Sequence, residues 1–230
     1  MLEKELKLER ELFLFLNEFS SPFWDNVMYI YSYKFAWIPF YLCFVFVFCF
    51  RKNWKEITLA ILAVTLIVFF CDFLSSSWSK PFFQRFRPTH HPDFKDVVNI
   101  AFDYRGGRYG FFSGHAANSF GFATLISLMF RNSILTITIF IFAIITAYTR
   151  IYLGVHFISD IVVGTIAGII VGFFVYELYI IGRKYWLKVP DRNLRKSIYS
   201  KNESLFLCGA YVCMIAIILI FNNQIINLIT

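Results

Sequence analysis

The feature that most constrains the fold is a set of six apolar runs, each close to the length of a membrane-spanning helix. A helix needs about 20 apolar residues to cross a bilayer, and flanking residues extend the shorter runs to that length. Charged residues make up only 16% of the chain; a soluble domain has about 25%. The sequence therefore predicts an all-α, polytopic membrane helical bundle of about six transmembrane helices. The runs cover residues 35–50, 57–74, 116–130, 133–148, 161–182 and 205–221.

The third run differs from the others because polar residues, including His115 and Asn118, stand at its start. Polar groups inside a membrane segment favour a helix that faces protein or a wet cavity. The net charge of +7 does not indicate nucleic-acid binding, because no basic soluble domain is present to carry it. We instead assign the excess of basic residues to loops at the membrane surface.

The N-terminal segment, residues 1–20, has apolar residues at helical spacing and charged residues on the other face. This pattern predicts an amphipathic helix that lies in the membrane interface. The alternative is a helix that packs on another domain, but no soluble domain is present. With no internal repeat or low-complexity tract, residues 1–230 are expected to form a single integral-membrane domain. The apolar positions of the segment are Leu2, Leu6, Leu12, Phe13 and Leu16.

The stretch SKPFFQRFRPTH follows the second apolar run and holds three cations. Lys80 and Arg87 are seven residues apart, so a helix through both would place them on one face. Pro81 fits the first turn of such a helix, and Pro88 would end it. The alternative is that these cations snorkel at the membrane boundary, and this remains the interpretation of Arg85.

The stretch GFFSGHAANSFG leads directly into the third apolar run. Ser113 is a candidate N-cap, and Gly114 beside it would let a ligand approach the backbone closely. The free N–H groups at a helix start favour an anion. The alternative is a capped helix in which His115 is structural.

The stretch YTRIYLGVHFISD joins the fourth and fifth apolar runs. His156 and Asp160 are four residues apart and share a helix face, so the carboxyl can accept from one ring nitrogen. The other nitrogen is then free to act as a base or nucleophile. Arg150 ends the preceding run. The alternative is a structural His–Asp pair.

These three segments fall on the same side of the membrane by helix connectivity alone. Fixed cations, a helix N-terminus and two histidines together predict a phosphate site with acid–base groups. A metal site is less expected, because the cations would repel a divalent ion and clustered carboxylates are absent. His90 and His91 are adjacent in a loop, where such a pair is usually incidental.

The pattern Lys-x6-Arg-Pro, Ser-Gly-His and Arg-x5-His-x3-Asp resembles the type 2 phosphatidic acid phosphatase family, the membrane branch of the vanadium haloperoxidase superfamily. Its three blocks occur here in order within residues 80–160. The resemblance implies that His156 is the nucleophile, that Asp160 orients it and that His115 is the general acid. It also implies a site without a metal or other cofactor. The phosphate-binding groups that it implies are Lys80, Arg87, Ser113, Gly114 and Arg150.

The resemblance predicts an integral-membrane lipid phosphatase that hydrolyses a phosphate monoester or pyrophosphate through a phosphohistidine. Candidate substrates are undecaprenyl pyrophosphate, the phosphates of lipid A, and phosphatidylglycerophosphate or phosphatidate. The partners expected are this lipid phosphate and membrane lipids, with no nucleic acid, and the sequence assigns no oligomeric state. The alternatives are a lipid phosphotransferase that uses the same site and an anion transporter.

The loops assign the candidate site to one side of a bacterial inner membrane. Each side carries eleven of the 22 Lys and Arg residues. Three on the site's side are expected to bind substrate, and three more alternate with acidic residues in the N-terminal segment. Discounting these six leaves residues 51–56, Arg131 and residues 183–201 cytoplasmic by the positive-inside rule. The site and both termini are then expected on the periplasmic, or outer, face.

Overall fold

The computed structural model describes the backbone of residues 2–229 and the side chains of residues 8–229. Within this part of the chain all regular structure is helical, and the pairing of Phe86 with Tyr109 is an isolated bridge. The all-α bundle predicted from the apolar runs is confirmed. The α-helices are α1 Leu2–Asn17, α2 Pro22–Ser32, α3 Ile38–Cys49, α4 Trp54–Asp72, α5 Lys80–Phe83, α6 Gly114–Phe130, α7 Ser133–Tyr152, α8 Ile158–Tyr185 and α9 Lys201–Ile229.

Each of the six apolar runs lies in a helix. Among residues 2–229, four helices are long and apolar enough to cross a membrane, and they contain α4, α7, α8 and α9. The pair α2 and α3, bent by 71°, makes a fifth candidate if it counts as one span. The remaining run forms α6, whose 17 residues are mostly buried among its neighbours. The predicted number of about six spans thus stays a prediction.

Helix α2 is an element that the apolar runs did not predict. The hydroxyl of Ser21 accepts a hydrogen bond from the Trp24 N–H, and Pro22 lies in the first turn. Both are ordinary helix-start signals. Polar residues such as Asp25 and Asn26 interrupt the apolar pattern, so this helix does not form an apolar run of membrane length.

Helix α4 does not end where its apolar run ends. A π-helical segment, Phe73–Ser79, continues it into α5, and the whole helix runs from Trp54 to Phe83. Pro81 lies in the first turn of α5, as predicted. The predicted helix through both Lys80 and Arg87 is wrong. Gln84 is left-handed with φ 46°, and Arg87 is extended because the following Pro88 disfavours the helical conformation.

Helix α6 lies at the centre of the bundle and packs most extensively on α8. Three glycines recur every fourth residue on α8 where the two helices meet, at Gly164, Gly168 and Gly172. A Cβ added at Gly164 would lie 2.6 Å from the Ser113 carbonyl oxygen, and one at Gly168 would overlap the Ala117 carbonyl oxygen. Small residues at this spacing allow two helix backbones to approach closely.

Opposite ends of the bundle are distinct. At one end, buried Glu56 accepts from Arg183 Nε at 3.0 Å and from the Tyr179 hydroxyl at 3.1 Å. At the other end, the side chain of Asn26 donates to those of Asn222 and Asn223, near the end of α9. Helix α1 also packs at this second end, so α1 and the end of α9 lie at the same end of the bundle, as predicted from connectivity.

The close packing of α6 on α8 can be tested by adding a methyl group at one of the α8 glycines. We expect Gly168→Ala to destabilise the purified protein by about 1–3 kcal/mol, because its Cβ meets backbone that cannot move aside without separating the helices. The measurement is thermal unfolding in detergent. The matched control is Gly209→Ala in α9, where an added Cβ meets nothing within 4 Å. Equal melting temperatures for the two variants would contradict this account of the packing.

Candidate active site

The loop between α5 and α6 is held by a short pairing with itself. Gly110 N donates to Arg85 O at 2.9 Å, and Arg87 N donates to Arg108 O at 3.2 Å. The pairing brings Arg87 and Gly110 beside the start of α8, where an added Cβ at Gly110 would lie 3.1 Å from Asp160 Oδ2. Backbone pairing, not a continuous helix, therefore places the second cation of the first motif.

The three motifs surround one cavity of about 500 Å³. Two of the predicted residues, Ser113 and Asp160, are fully buried and do not line it. The other six line its wall. They are Lys80, Arg87, Gly114, His115, Arg150 and His156.

His156 is held between an acid and a cation. Its Nδ1 lies 3.3 Å from Asp160 Oδ2, and its Nε2 lies 3.1 Å from Arg87 Nη1. A guanidinium can only donate, so Nε2 must accept and Nδ1 carries the proton. This tautomer directs the Nε2 lone pair at the cation that borders the cavity. It is the arrangement that a nitrogen nucleophile requires.

The electrostatics of the cavity keep His156 uncharged. Burial, and then the positive charges of Arg87, Arg150 and Lys80, hold the pKa of the His156 imidazole well below its ordinary value. Burial, and then Arg150, lower the pKa of the Arg87 guanidinium to about 10. At neutral pH the imidazole is therefore neutral and the guanidinium is charged. This combination suits a nucleophile beside an anion-binding group.

Arg150 is completely buried, and its partners are neutral. It donates to the Ser32 hydroxyl through Nη1 and to the Tyr104 hydroxyl through Nη2 at 3.1 Å. Its Nε has no hydrogen-bond partner within the described residues. Ser32 and Tyr104 also line the cavity, so they orient a charge that no carboxylate among residues 8–229 neutralises.

Ser113 is the N-cap of α6, as predicted, because its hydroxyl accepts from the Ala116 N–H at 3.4 Å. Its own N–H donates to the Asp160 carbonyl oxygen at 3.0 Å and so joins the starts of α6 and α8. Gly114 is tightly placed, since an added Cβ would lie 2.9 Å from Ser75 Oγ. Ser113 is buried and does not line the cavity, so its predicted role as a phosphate ligand stays a prediction.

Comparison with known proteins identifies the family. The profile of the PAP2 superfamily matches residues 56–181, more than half of the chain. The chain belongs to the PAP2 superfamily. A lipid A 4'-phosphatase of Porphyromonas gingivalis is 47% identical over 220 residues, covering 93% of each chain. A lipid A 4'-phosphatase of Bacteroides thetaiotaomicron is 36% identical over 185 residues, covering 80% of this chain and 81% of that one.

A solved structure agrees with this assignment. The crystal structure of Aquifex aeolicus LpxE matches with a TM-score of 0.56 and 32% identity, over 74% of this chain and 95% of that one. The resemblance drawn from the three motifs is confirmed. As a PAP2 protein with apolar, membrane-length helices, the chain is a membrane lipid phosphatase, a hydrolase of phosphoric esters.

Sequence reasoning missed a pair of residues behind the PAP2 site. Arg85, interpreted as snorkelling, instead donates to Asp160 Oδ1 at 2.8 Å and to Glu9 Oε2 at 3.0 Å. Glu9 lies on α1, far away in sequence. The only local sign that Arg85 belongs to the site was its position two residues before Arg87. Nothing in the sequence linked it to a carboxylate 75 residues away.

A second missed pair lies in the cavity wall. Asn118 Nδ2 donates to Asp72 Oδ1 at 2.7 Å, and both residues line the cavity. Asn118 Oδ1 is buried and has no hydrogen-bond partner in the part of the chain that the structure describes. The start of the third run, predicted to face protein or a cavity, therefore lines the cavity. Its pairing with Asp72 was not predicted.

Within residues 8–229, no three or more His, Cys, Asp or Glu side chains form a group that could hold a metal ion. His90 and His91 do not line the cavity. The His90 ring lies 3.1 Å from the Thr89 hydroxyl, and His91 accepts from the Asp93 N–H at 3.3 Å. Each of these rings has a local partner.

Proposed function

We propose that this membrane phosphatase removes phosphate from a lipid A-type substrate through a phosphohistidine formed on His156. The observation that carries the reaction is the buried imidazole with Nδ1 at Asp160 and Nε2 at Arg87. Both relatives are lipid A 4'-phosphatases, which favours a lipid A phosphate over undecaprenyl pyrophosphate and glycerophospholipid phosphates.

The reaction has two steps. In the first, His156 Nε2 attacks phosphorus, an N–P bond forms, and the bond from phosphorus to the lipid oxygen breaks as His115 protonates that oxygen. In the second, water attacks phosphorus, His115 takes its proton, and the N–P bond breaks to release phosphate. The charge that develops on the phosphoryl oxygens is stabilised by Lys80, Arg87 and Arg150, with the Gly114 N–H.

The shape of the cavity supports a lipid with a polar headgroup. Beyond the cations, its wall continues along α4 and α6 through Val64, Ile67, Val68 and Phe122, which suit acyl chains. Asp72 and the unpartnered Asn118 Oδ1 offer acceptors between the apolar wall and the cations. A glucosamine headgroup has hydroxyl or amide donors beside its phosphate, whereas a prenyl chain has none.

The reaction is tested by release of phosphate from a lipid A phosphate by purified protein in EDTA. We expect turnover without added metal or acceptor, and a loss of about 10⁴-fold or more in His156→Ala, as for a covalent nucleophile. His90→Ala, outside the cavity, is the control and should retain turnover. Turnover by His156→Ala would contradict the phosphohistidine. A strict need for an acceptor would indicate the phosphotransferase alternative.

The headgroup contacts are tested by comparing a lipid A phosphate with undecaprenyl pyrophosphate. We expect Asn118→Leu to lower kcat/KM for the lipid A phosphate by about 10-fold or more, the usual effect of one lost hydrogen bond to a buried group. Turnover of the prenyl substrate should change little. Thr65→Val, which removes a hydroxyl from the exposed face of α4, is the control. An equal loss on both substrates would argue against headgroup recognition.

We also propose that the chain lies in the bacterial inner membrane with its site on the periplasmic face. In a background without native cysteines, Lys95→Cys on the site's side should react with an impermeant thiol reagent in intact spheroplasts. Arg192→Cys, in the loop between α8 and α9, should react only after lysis. Both positions are exposed. The reverse pattern would invert the proposed orientation.

A further inference from the structure

We infer that Glu9 and Arg85 are positioning residues of this phosphatase, which hold His156 in its reactive orientation from behind the cavity. The inference rests on the proposed role of His156 as nucleophile. Neither residue lines the cavity. Both act through Asp160, so they would affect the chemical step without contacting the substrate.

Arg85 bridges two carboxylates. Nη1 donates to Asp160 Oδ1 at 2.8 Å, and Nη2 donates to Glu9 Oε2 at 3.0 Å. The guanidinium also lies 4.7 Å from the ring centroid of Phe157, which limits its movement. The Asp160 side chain is completely buried. A buried carboxylate requires a paired cation, and among the described residues Arg85 is the guanidinium that forms an ion pair with Asp160.

Glu9 uses its second oxygen to hold the start of α8. Oε1 accepts from the Ser159 N–H at 2.8 Å and from the Ser159 hydroxyl. Asp160 Oδ2 accepts from the Phe157 N–H at 3.1 Å in the same turn. The carboxylates of Glu9, on α1, and Asp160, on α8, therefore satisfy N–H groups of the turn that follows His156 and begins α8.

Helix α1 is anchored on both sides of the segment that carries His156. Asn17 Nδ2 donates to the carbonyl oxygens of Ile151 and Tyr152 at 3.1 and 2.8 Å, at the end of α7. Phe13, with no exposed surface, packs on Phe157 with ring centroids 5.4 Å apart.

Glu9, Phe13 and Asn17 are spaced by four and therefore share one face of α1. This face contacts the end of α7, the start of α8 and the loop between them. The same loop, residues 153–157, contains the proposed nucleophile. Helix α1 thus holds that loop in place, and Glu9 is linked to Asp160 through Arg85.

The test compares Arg85→Gln and Glu9→Gln with wild type on the lipid A phosphate. We expect each to lower kcat by about 10- to 100-fold, the usual effect of losing a supporting contact behind a reactive group. KM should stay within about twofold, because neither side chain meets the substrate. The exposed Glu18→Gln, just beyond α1, is the matched control and should retain wild-type kcat.

A pH profile separates positioning from simple loss of structure. Without the Arg85 cation, the Asp160–His156 pair binds a proton more readily, so the acid limb of kcat/KM should move to higher pH in Arg85→Gln. Arg85→Lys should restore the limb but not the full kcat, because an ammonium cannot reproduce the fork that bridges two carboxylates. The double variant Glu9→Gln/Arg85→Gln should lose less than the product of the single losses.

Two outcomes would overturn the inference. One is wild-type kcat and an unmoved acid limb in folded Arg85→Gln; the other is a loss that appears only in KM. If Arg85→Gln does not fold, judged by gel filtration and thermal unfolding, Glu9→Gln gives the same test. If His156→Ala is inactive while both variants match wild type, only this inference fails. If His156→Ala turns over, the proposed function itself fails.

Discussion

The close approach of α6 to α8 is the contact on which the site depends. Glycines at every fourth position of α8 let the α6 backbone come near, and the Ser113 N–H can then bond to the Asp160 carbonyl oxygen. The two helices begin at the same end of the bundle, so their positive dipole ends lie together. An anion is stabilised at such a place, and the cations of two other segments lie around it.

Four basic residues in the cavity wall and behind it divide into two kinds by their partners. Among described residues, Lys80, Arg87 and Arg150 form no ion pair; they bond to hydroxyls, to carbonyl oxygens or to His156. Arg85 is paired with two carboxylates. Buried like charges without counter-ions disfavour the folded protein, and a bound phosphate would relieve that cost. The unpaired cations therefore suit the substrate, and the paired one supports the fold.

The sequence correctly predicted contacts between residues that are close together in the chain. The predicted contact of His156 with Asp160 is confirmed, but the shared helix face is not, because His156 precedes α8 by two residues. Ser113 was correctly predicted as an N-cap. The helix through Lys80 and Arg87 failed because backbone pairing between residues 85–87 and 108–110 replaced it. Arg85 was misassigned because its partners are 75 and 76 residues away, a separation at which periodicity carries no information.

Helix α1 shows why an amphipathic pattern alone does not decide what a helix contacts. Interfacial location was predicted from its apolar spacing, yet Phe13 is buried against Phe157. The adjacent strip of Leu8, Leu12 and Phe15 is exposed. One apolar face thus packs on the protein while the next is free to meet lipid. A helix seated on the bilayer by one face could brace His156 by the other, so the predicted location and the observed packing are compatible.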